Sequence, residues 1–286
     1  MKNRIAVSIA SDHLVVKLLV PKAGRGLSFG WAKMRDLLWG TTSVPYETRV
    51  SLIVPGTTQA SELEELLRQS LSQLGRMAGL DLQHTVLEAE LGPRHAHVGL
   101  MQPQGVGRQQ ASKADTESYL NVWITQTFNL DPLQHIVRHT VVGKQGAWLV
   151  TCTHRDTFAA IATVCRQHSL DFTRCVPAFA ALLGDLAQAQ LSDQGALQGH
   201  LDAVTLLERS QSTLNSSIGQ FALLNAGVPR SIARMWVNTS AVERVQKEIS
   251  WITQRLALSH GAGTVASSNT VYWPEGSVYS GKEQIE

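Results

Sequence analysis

Two β-rich apolar runs open the chain, at residues 5–9 and 14–20, and the polar Ser11-Asp12-His13 between them predicts a hairpin. Residues 21–30 are glycine-rich and read as a loop, and 31–39 (WAKMRDLLW) predict a short amphipathic helix. Residues 49–54 predict a third strand, stopped by Pro55-Gly56. Leu63, Leu66, Leu67, Leu71 and Leu74 then recur at helical spacing out to Met77, with Thr57 or Thr58 as cap and Gly79 as the stop. Such a stripe packs on a core in most proteins, and a partner or dimer surface is the alternative. Residues 85–91 and 95–101 read as a second hairpin about Gly92-Pro93. Residues 114–128 predict a helix on which Tyr119 and Trp123 stack on one face.

The stretch from 138 to 185 is the most ordered in pattern. Trp148 to Cys152 is an apolar run of strand length, broken at His154-Arg155-Asp156. Phe158, Ile161, Ala162 and Cys165 follow at helical spacing. Leu170-Asp171-Phe172 and Cys175-Val176 predict a second strand, and Pro177 suits the first turn of another helix. After a polar stretch at 187–199, residues 203–208, 212–218 and 220–224 read as consecutive strands, with a turn at Asn225-Ala226-Gly227 and a further strand at 232–237. Val242, Val245, Ile249, Ile252 and Leu256 give 241–258 a helical stripe, and Val271-Tyr272-Trp273 is a last short strand.

At 286 residues, 43% hydrophobic and 17% charged, the chain has the material for one large domain or two lobes. A net charge of +2 with no Lys/Arg cluster gives no footprint for nucleic acid. No apolar run is long enough to span a bilayer. The basic start, Lys2 and Arg4, is followed by Ser8, Ser11, Asp12 and His13 rather than by a plain apolar core, so it reads as a strand and not as a signal peptide. Cys152, Cys165 and Cys175 lack metal-ligand spacing, and their odd number suits a reducing compartment. His95 and His97 share a strand face, but no carboxylate or cysteine cluster joins them, so no metal is expected. Cys152 with His154 has the form of a thiol–base pair, yet the cysteine sits in an apolar run where structural thiols are inert. No nucleophile elbow, zinc-protease motif or P-loop occurs, and no catalytic residue is expected.

Ser169 to Phe172, Val176-Pro177 and Ala180-Ala181-Leu182 together resemble a recurring strand–turn–helix segment of the PilM/MshI/GspL group of actin-like bacterial proteins. The opening runs at 4–10 and 14–19 resemble that group's first hairpin, and 202–208 its second-half first strand. The resemblance implies an α/β, two-lobed actin-like fold with mixed sheets flanked by helices. On that reading residues 1–190 form the first lobe, with an inserted subdomain at about 45–110 and a central strand–helix segment, and 191–286 form the second.

A nucleotide site in such a fold needs a carboxylate for the metal and a glycine turn for close backbone approach. The positions that resemble the group's D-x-G hold Ser8 and Ala10, with Asp12 as a displaced substitute. Glu208-Arg209-Ser210-Gln211 stands where the second acidic–glycine turn is expected, and Pro274 to Ser277 at the adenosine loop. Glycines at 24–26, 105–107 and 261–263 have no lysine–serine pair beside them. ATP with Mg²⁺ is therefore expected to bind weakly or not at all, and no cofactor is expected.

The resemblance further implies a non-catalytic cytoplasmic scaffold of a type IV pilus or related type II secretion assembly, peripheral to the inner membrane through its partners. The partner it implies is the cytoplasmic tail of an inner-membrane PilN-like protein, coupled in turn to a secretion motor ATPase. Strand addition is expected between the edge of the 85–101 hairpin and the helix at 61–77, using Leu67, Leu71, Arg94, His97 and Val98. The alternatives are an actin-like ATPase or phosphotransferase with an intact nucleotide site, and a division-type membrane adaptor; the polar terminus 277–286 lacks the amphipathic helix the latter wants.

Overall fold

The computed structural model describes residues 2–21, 46–57, 59–103, 113–143, 146–192, 201–208, 216–225, 228–238, 242–259, 265–273 and 277–279. The expected helix at 31–39 and the glycine stretches at 24–26, 105–107 and 261–263 lie outside these residues, as do 209–211 and 274–276.

Strands β1 (Arg4–Ile9) and β2 (His13–Pro21) form the expected hairpin, and β3 (Tyr46–Pro55) continues it antiparallel. Helix α1 (Ala60–Ala78) follows, ending on Gly79 in the left-handed conformation. Strand β4 (Val86–Leu91) then returns parallel to β1. The chain next leaves this sheet for a small insertion. There β5 (Ala96–Met101), α2 (Lys113–Phe128), β6 (His135–Val142) and β7 (Ala147–His154) build a three-stranded sheet in the order β5-β7-β6. Helix α3 (Arg155–Gln167) leads back to β8 (Asp171–Pro177), which lies parallel to β4 and completes the first sheet as β3-β2-β1-β4-β8.

Helix α4 (Ala178–Ser192) crosses to the second lobe. Strands β9 (Leu201–Glu208), β10 (Ser216–Asn225) and β11 (Val228–Asn238) form an antiparallel meander. Helix α5 (Val242–Ser259) precedes β12 (Val265–Trp273), parallel to β9, and β13 (Ser277–Tyr279) closes the order β11-β10-β9-β12-β13. Each sheet thus repeats one plan: a three-strand meander whose first strand is central and gains a parallel neighbour.

The core follows the pleat. Ile5, Val7 and Ile9 point to one face of the first sheet, where Leu63, Leu67, Leu71 and Leu74 of α1 and Ile161 and Val164 of α3 cover them. Val245, Ile249 and Ile252 of α5 cover Leu207, Phe221 and Val237 in the second lobe. Its opposite face, Val204, Leu206, Ala222 and Leu224, packs on Phe179 and Leu183 of α4 together with Ala10 and Val98 of the first lobe. One apolar cluster therefore spans both lobes.

Several expectations change. Residues 85–101 are not a hairpin, because β4 is a central strand paired on both edges by β1 and β8, while β5 belongs to the insertion. The insertion begins after β4, since 46–91 supply β3, α1 and β4 to the first sheet. The strands expected at 212–218 and 220–224 are one strand from Ser216, and 212–215 lie outside the described residues; Gly219 stays in register with Leu207 and Met235. Tyr119 and Trp123 do not stack on each other: Tyr119 meets Trp148 edge-on and Trp123 meets Phe128.

Candidate functional site

Two features converge where the lobes meet: a polar cluster at the β1–β2 turn, and a groove beside β8.

The turn is tight because Ala10 N–H donates to His13 O at 3.0 Å, closing the hairpin on itself. Gly56 N–H donates to Asp12 O, and a Cβ on Gly56 would lie 2.3 Å from His13 N, so glycine is required behind the turn. Ser8 lies in β1 between Val15 and Glu90, Ala10 is fully buried, and Asp12 Oδ1 is 2.6 Å from His13 Nδ1. Hence neither Ser8 nor Ala10 restores the carboxylate or the glycine, and the Asp12 carboxylate is engaged by its neighbour.

Within the turn, Ser11 N–H donates to Glu208 Oε1 at 2.6 Å, and Arg94 N–H reaches Glu208 Oε2 at 3.4 Å. Glu208 ends β9 and is 3% exposed. Arg234 of β11 donates to Pro93 O at 2.7 Å and to His97 Nδ1 at 2.9 Å. His95 Nε2 donates to Ala10 O at 3.3 Å, and Gly92 N–H donates to Ile9 O. Glu208 and Arg234 of the second lobe thus clamp the β1–β2 turn and the 92–97 segment of the first. Burial, then the adjacent Arg234 charge, holds the His97 imidazole down at about 3. Burial also lowers His95 against the opposing pull of Glu208, and lowers Arg234.

The groove has a volume of about 710 Å³. The insertion sheet turns one face to α2, through Val150 and Cys152 against Leu120 and Ile124. Its other face, with Ile136 and Arg138 beside Thr151 and Thr153, forms one wall of the groove. The opposite wall is β8 and α4, with Phe172, Cys175, Ala180 and Leu183. Strand β8 is the last of its row, paired with β4 alone among the described strands, so its outer N–H and C=O groups face this space. A register shift near Thr173 bends it there. Among the described residues, the lining carries two arginines, Arg138 and Arg174, and no acidic residue.

The residues expected to bind a partner are dispersed. Leu67 and Leu71 are buried in the first-lobe core, and Val98 is buried in the interlobe cluster, so none presents a surface. His97 faces Arg234, and Arg94 lies over the Trp236 ring at 5.2 Å. Burial pushes the Cys152 thiol up to about 12, and His154 Nδ1 instead accepts the Asp156 N–H at the start of α3, so the two form no thiol–base pair. Among the described residues, no group of three His, Cys, Asp or Glu side chains is placed to hold a metal. Sequence reading missed the groove and Arg234. A charged residue within an apolar strand was the available signal for Arg234; for the groove it was the exposed pair Thr173-Arg174 inside β8.

No family model matches the sequence, and no curated protein matches it. Among solved structures, the chain is similar to a PilM–PilN type IV pilus biogenesis complex at TM-score 0.57 and 9% identity, covering 94% of this chain and 81% of that one. The fold is the actin-like fold of PilM. Also similar are the cytoplasmic domain of EpsL, an inner-membrane component of the type II secretion system of Vibrio cholerae (TM-score 0.47, 11% identity, 94% and 82% covered), and a Bacteroides thetaiotaomicron protein of actin-like ATPase fold (0.47, 6%, 95% and 80%). No described helix is long and apolar enough to cross a membrane.

Proposed function

We propose that this chain is a non-catalytic scaffold of a type IV pilus or related secretion assembly, working at the cytoplasmic face of the inner membrane. On this reading its groove holds the cytoplasmic tail of an inner-membrane, PilN-like protein, and through that partner the chain couples to a secretion motor ATPase. The observation that carries the proposal is the edge of β8, unpaired among the described residues, opening on an apolar groove rimmed by Arg138 and Arg174. An extended segment adds to β8 through main-chain hydrogen bonds, and its alternate side chains enter the apolar floor. The arginines select a segment with a carboxylate near its apolar anchors. The likeness to a PilM–PilN complex supports a partner of that kind.

A non-catalytic role is supported at the β1–β2 turn. Ser8 supplies no carboxylate, Ala10 is fully buried and offers no open phosphate approach, and the Ser11 N–H is already taken.

The test is fluorescence anisotropy with a labelled peptide of the partner's cytoplasmic tail. Cys175→Trp fills the groove and Arg174→Glu reverses its rim; each is expected to weaken binding about tenfold or more. Arg94→Glu, outside the groove, is expected to leave binding unchanged. Wild-type affinity in both groove variants places the partner elsewhere. Mg-ATP is expected to give no thermal shift, because only a ligand of the native state raises stability. A clear shift would favour the ATPase or phosphotransferase reading.

A further inference from the structure

The Glu208 carboxylate does something that neither the scaffold role nor the partner groove requires. It is buried, it comes from the second lobe, and its two oxygens take backbone N–H groups from two separate turns of the first, at Ser11 and Arg94. Backbone N–H groups converging from turns make a seat for an anion. Cationic and donor groups surround this one. Arg234 and His95 both feel the Glu208 charge, and Arg94 lies close enough to Arg234 to depress it. Gln220 faces Arg234 directly across the β10–β11 ladder, is 1% exposed, and has an Nε2 donor with no partner. Arg234 Nε is likewise buried and unpartnered. Buried donors left over in this number mark an environment built for negative charge.

We propose that this is an anion seat filled from within: Glu208 is a built-in anion that occupies the place a phosphate group would take, holds the two lobes together without ligand, and excludes phosphate compounds from the cleft. Two consequences separate it from an ordinary buried ion pair. The Ser11 and Arg94 amides are protected in the ligand-free protein. Removing the carboxylate turns the cleft into a receptor for an external oxyanion, because two N–H groups and the arginine charge are left unanswered. The inference does not depend on the partner groove, and peptide binding there is not its readout.

The experiment is amide hydrogen exchange together with a thermal-shift titration using pyrophosphate, on the full chain. In the wild type, slow exchange at Ser11 and Arg94 and no pyrophosphate shift are expected. Glu208→Ala is expected to speed exchange at those two amides about tenfold or more, and to gain a pyrophosphate-dependent rise in Tm. Glu208→Gln keeps one acceptor oxygen without the charge; it is expected to retain part of the protection, and it decides the matter if Glu208→Ala does not fold. Rapid exchange at Ser11 in the wild type overturns the proposal. So does an equal pyrophosphate shift in wild type and variant, or lost protection in Glu208→Ala with no pyrophosphate binding.

Discussion

His97 shows how one side chain senses both lobes. An arginine has only donors, so the Arg234 contact at 2.9 Å requires a lone pair on Nδ1 and a neutral ring. Burial and that guanidinium hold the imidazole at about 3, against an ordinary 6.5. Between these values the unfolded chain binds a proton that the folded one refuses, so stability rises with pH through this window and falls on acidification below 6.5. The linkage slope gives a loss from this group of about 2 kcal/mol between roughly pH 6.5 and pH 5. His97→Gln keeps an acceptor for Arg234 and removes the titration. Urea unfolding across that range is expected to show a flatter acid limb in the variant by about that amount; parallel limbs would mean that His97 titrates normally. His95 is displaced in the same direction and remains in the variant, so part of the slope persists. Residue-level chemistry of this kind was only partly legible in the sequence. That positions 8 and 10 carry a hydroxyl and a methyl, neither a carboxylate nor a glycine, could be read directly. That Glu208 would meet Ser11 could not, because 197 residues separate them and only the closed tertiary structure joins them.

Elements whose pattern answered to local burial were readable, and those set by long-range pairing were not. The α1 stripe was legible because Leu63, Leu67, Leu71 and Leu74 cover the sheet beneath them; Leu66, also in the stripe, is only half-buried. The 85–101 segment read as a hairpin because two apolar runs flank Gly92-Pro93, yet β4 finds partners at β1 and β8 instead. Parallel pairing leaves no turn signal in the sequence. Strand β6 went unread because His135, Arg138, His139 and Thr140 interrupt its apolar residues, as suits an edge strand with one face on the groove. The insertion has its own local logic at Gly99, where a Cβ would lie 2.7 Å from both Phe128 Cζ and Trp123 Cη2. Gly99→Ala is expected to cost about 1–3 kcal/mol by forcing that aromatic pair off β5. Changed Trp fluorescence in the folded variant, with a lowered Tm, checks it; an unaltered Tm would show that the rings move aside without cost.

At the scale of the molecule, the two lobes repeat one sheet plan but are not independent units. Helix α4 is the shared element: Phe179 is fully buried among Ala10 and Val98 from one side and Val204, Leu206 and Ala222 from the other. The polar clamp of Glu208 and Arg234 lies beside this apolar wedge, so separating the lobes exposes core surface and breaks the hydrogen bonds of both charged groups to the first lobe. Unfolding is therefore expected to be a single transition, with fluorescence and far-UV circular dichroism superimposed. Phe179→Ala removes the wedge without touching either sheet's own helix cover. It is expected to cost about 3–5 kcal/mol and to lower the protection of both sheets together, not of one alone. If β9–β11 amides lose protection while β1–β4 amides keep theirs, the lobes fold separately and α4 belongs to the second. If both fall in step, the first and last thirds of the chain hold their structure through one helix and open as one body.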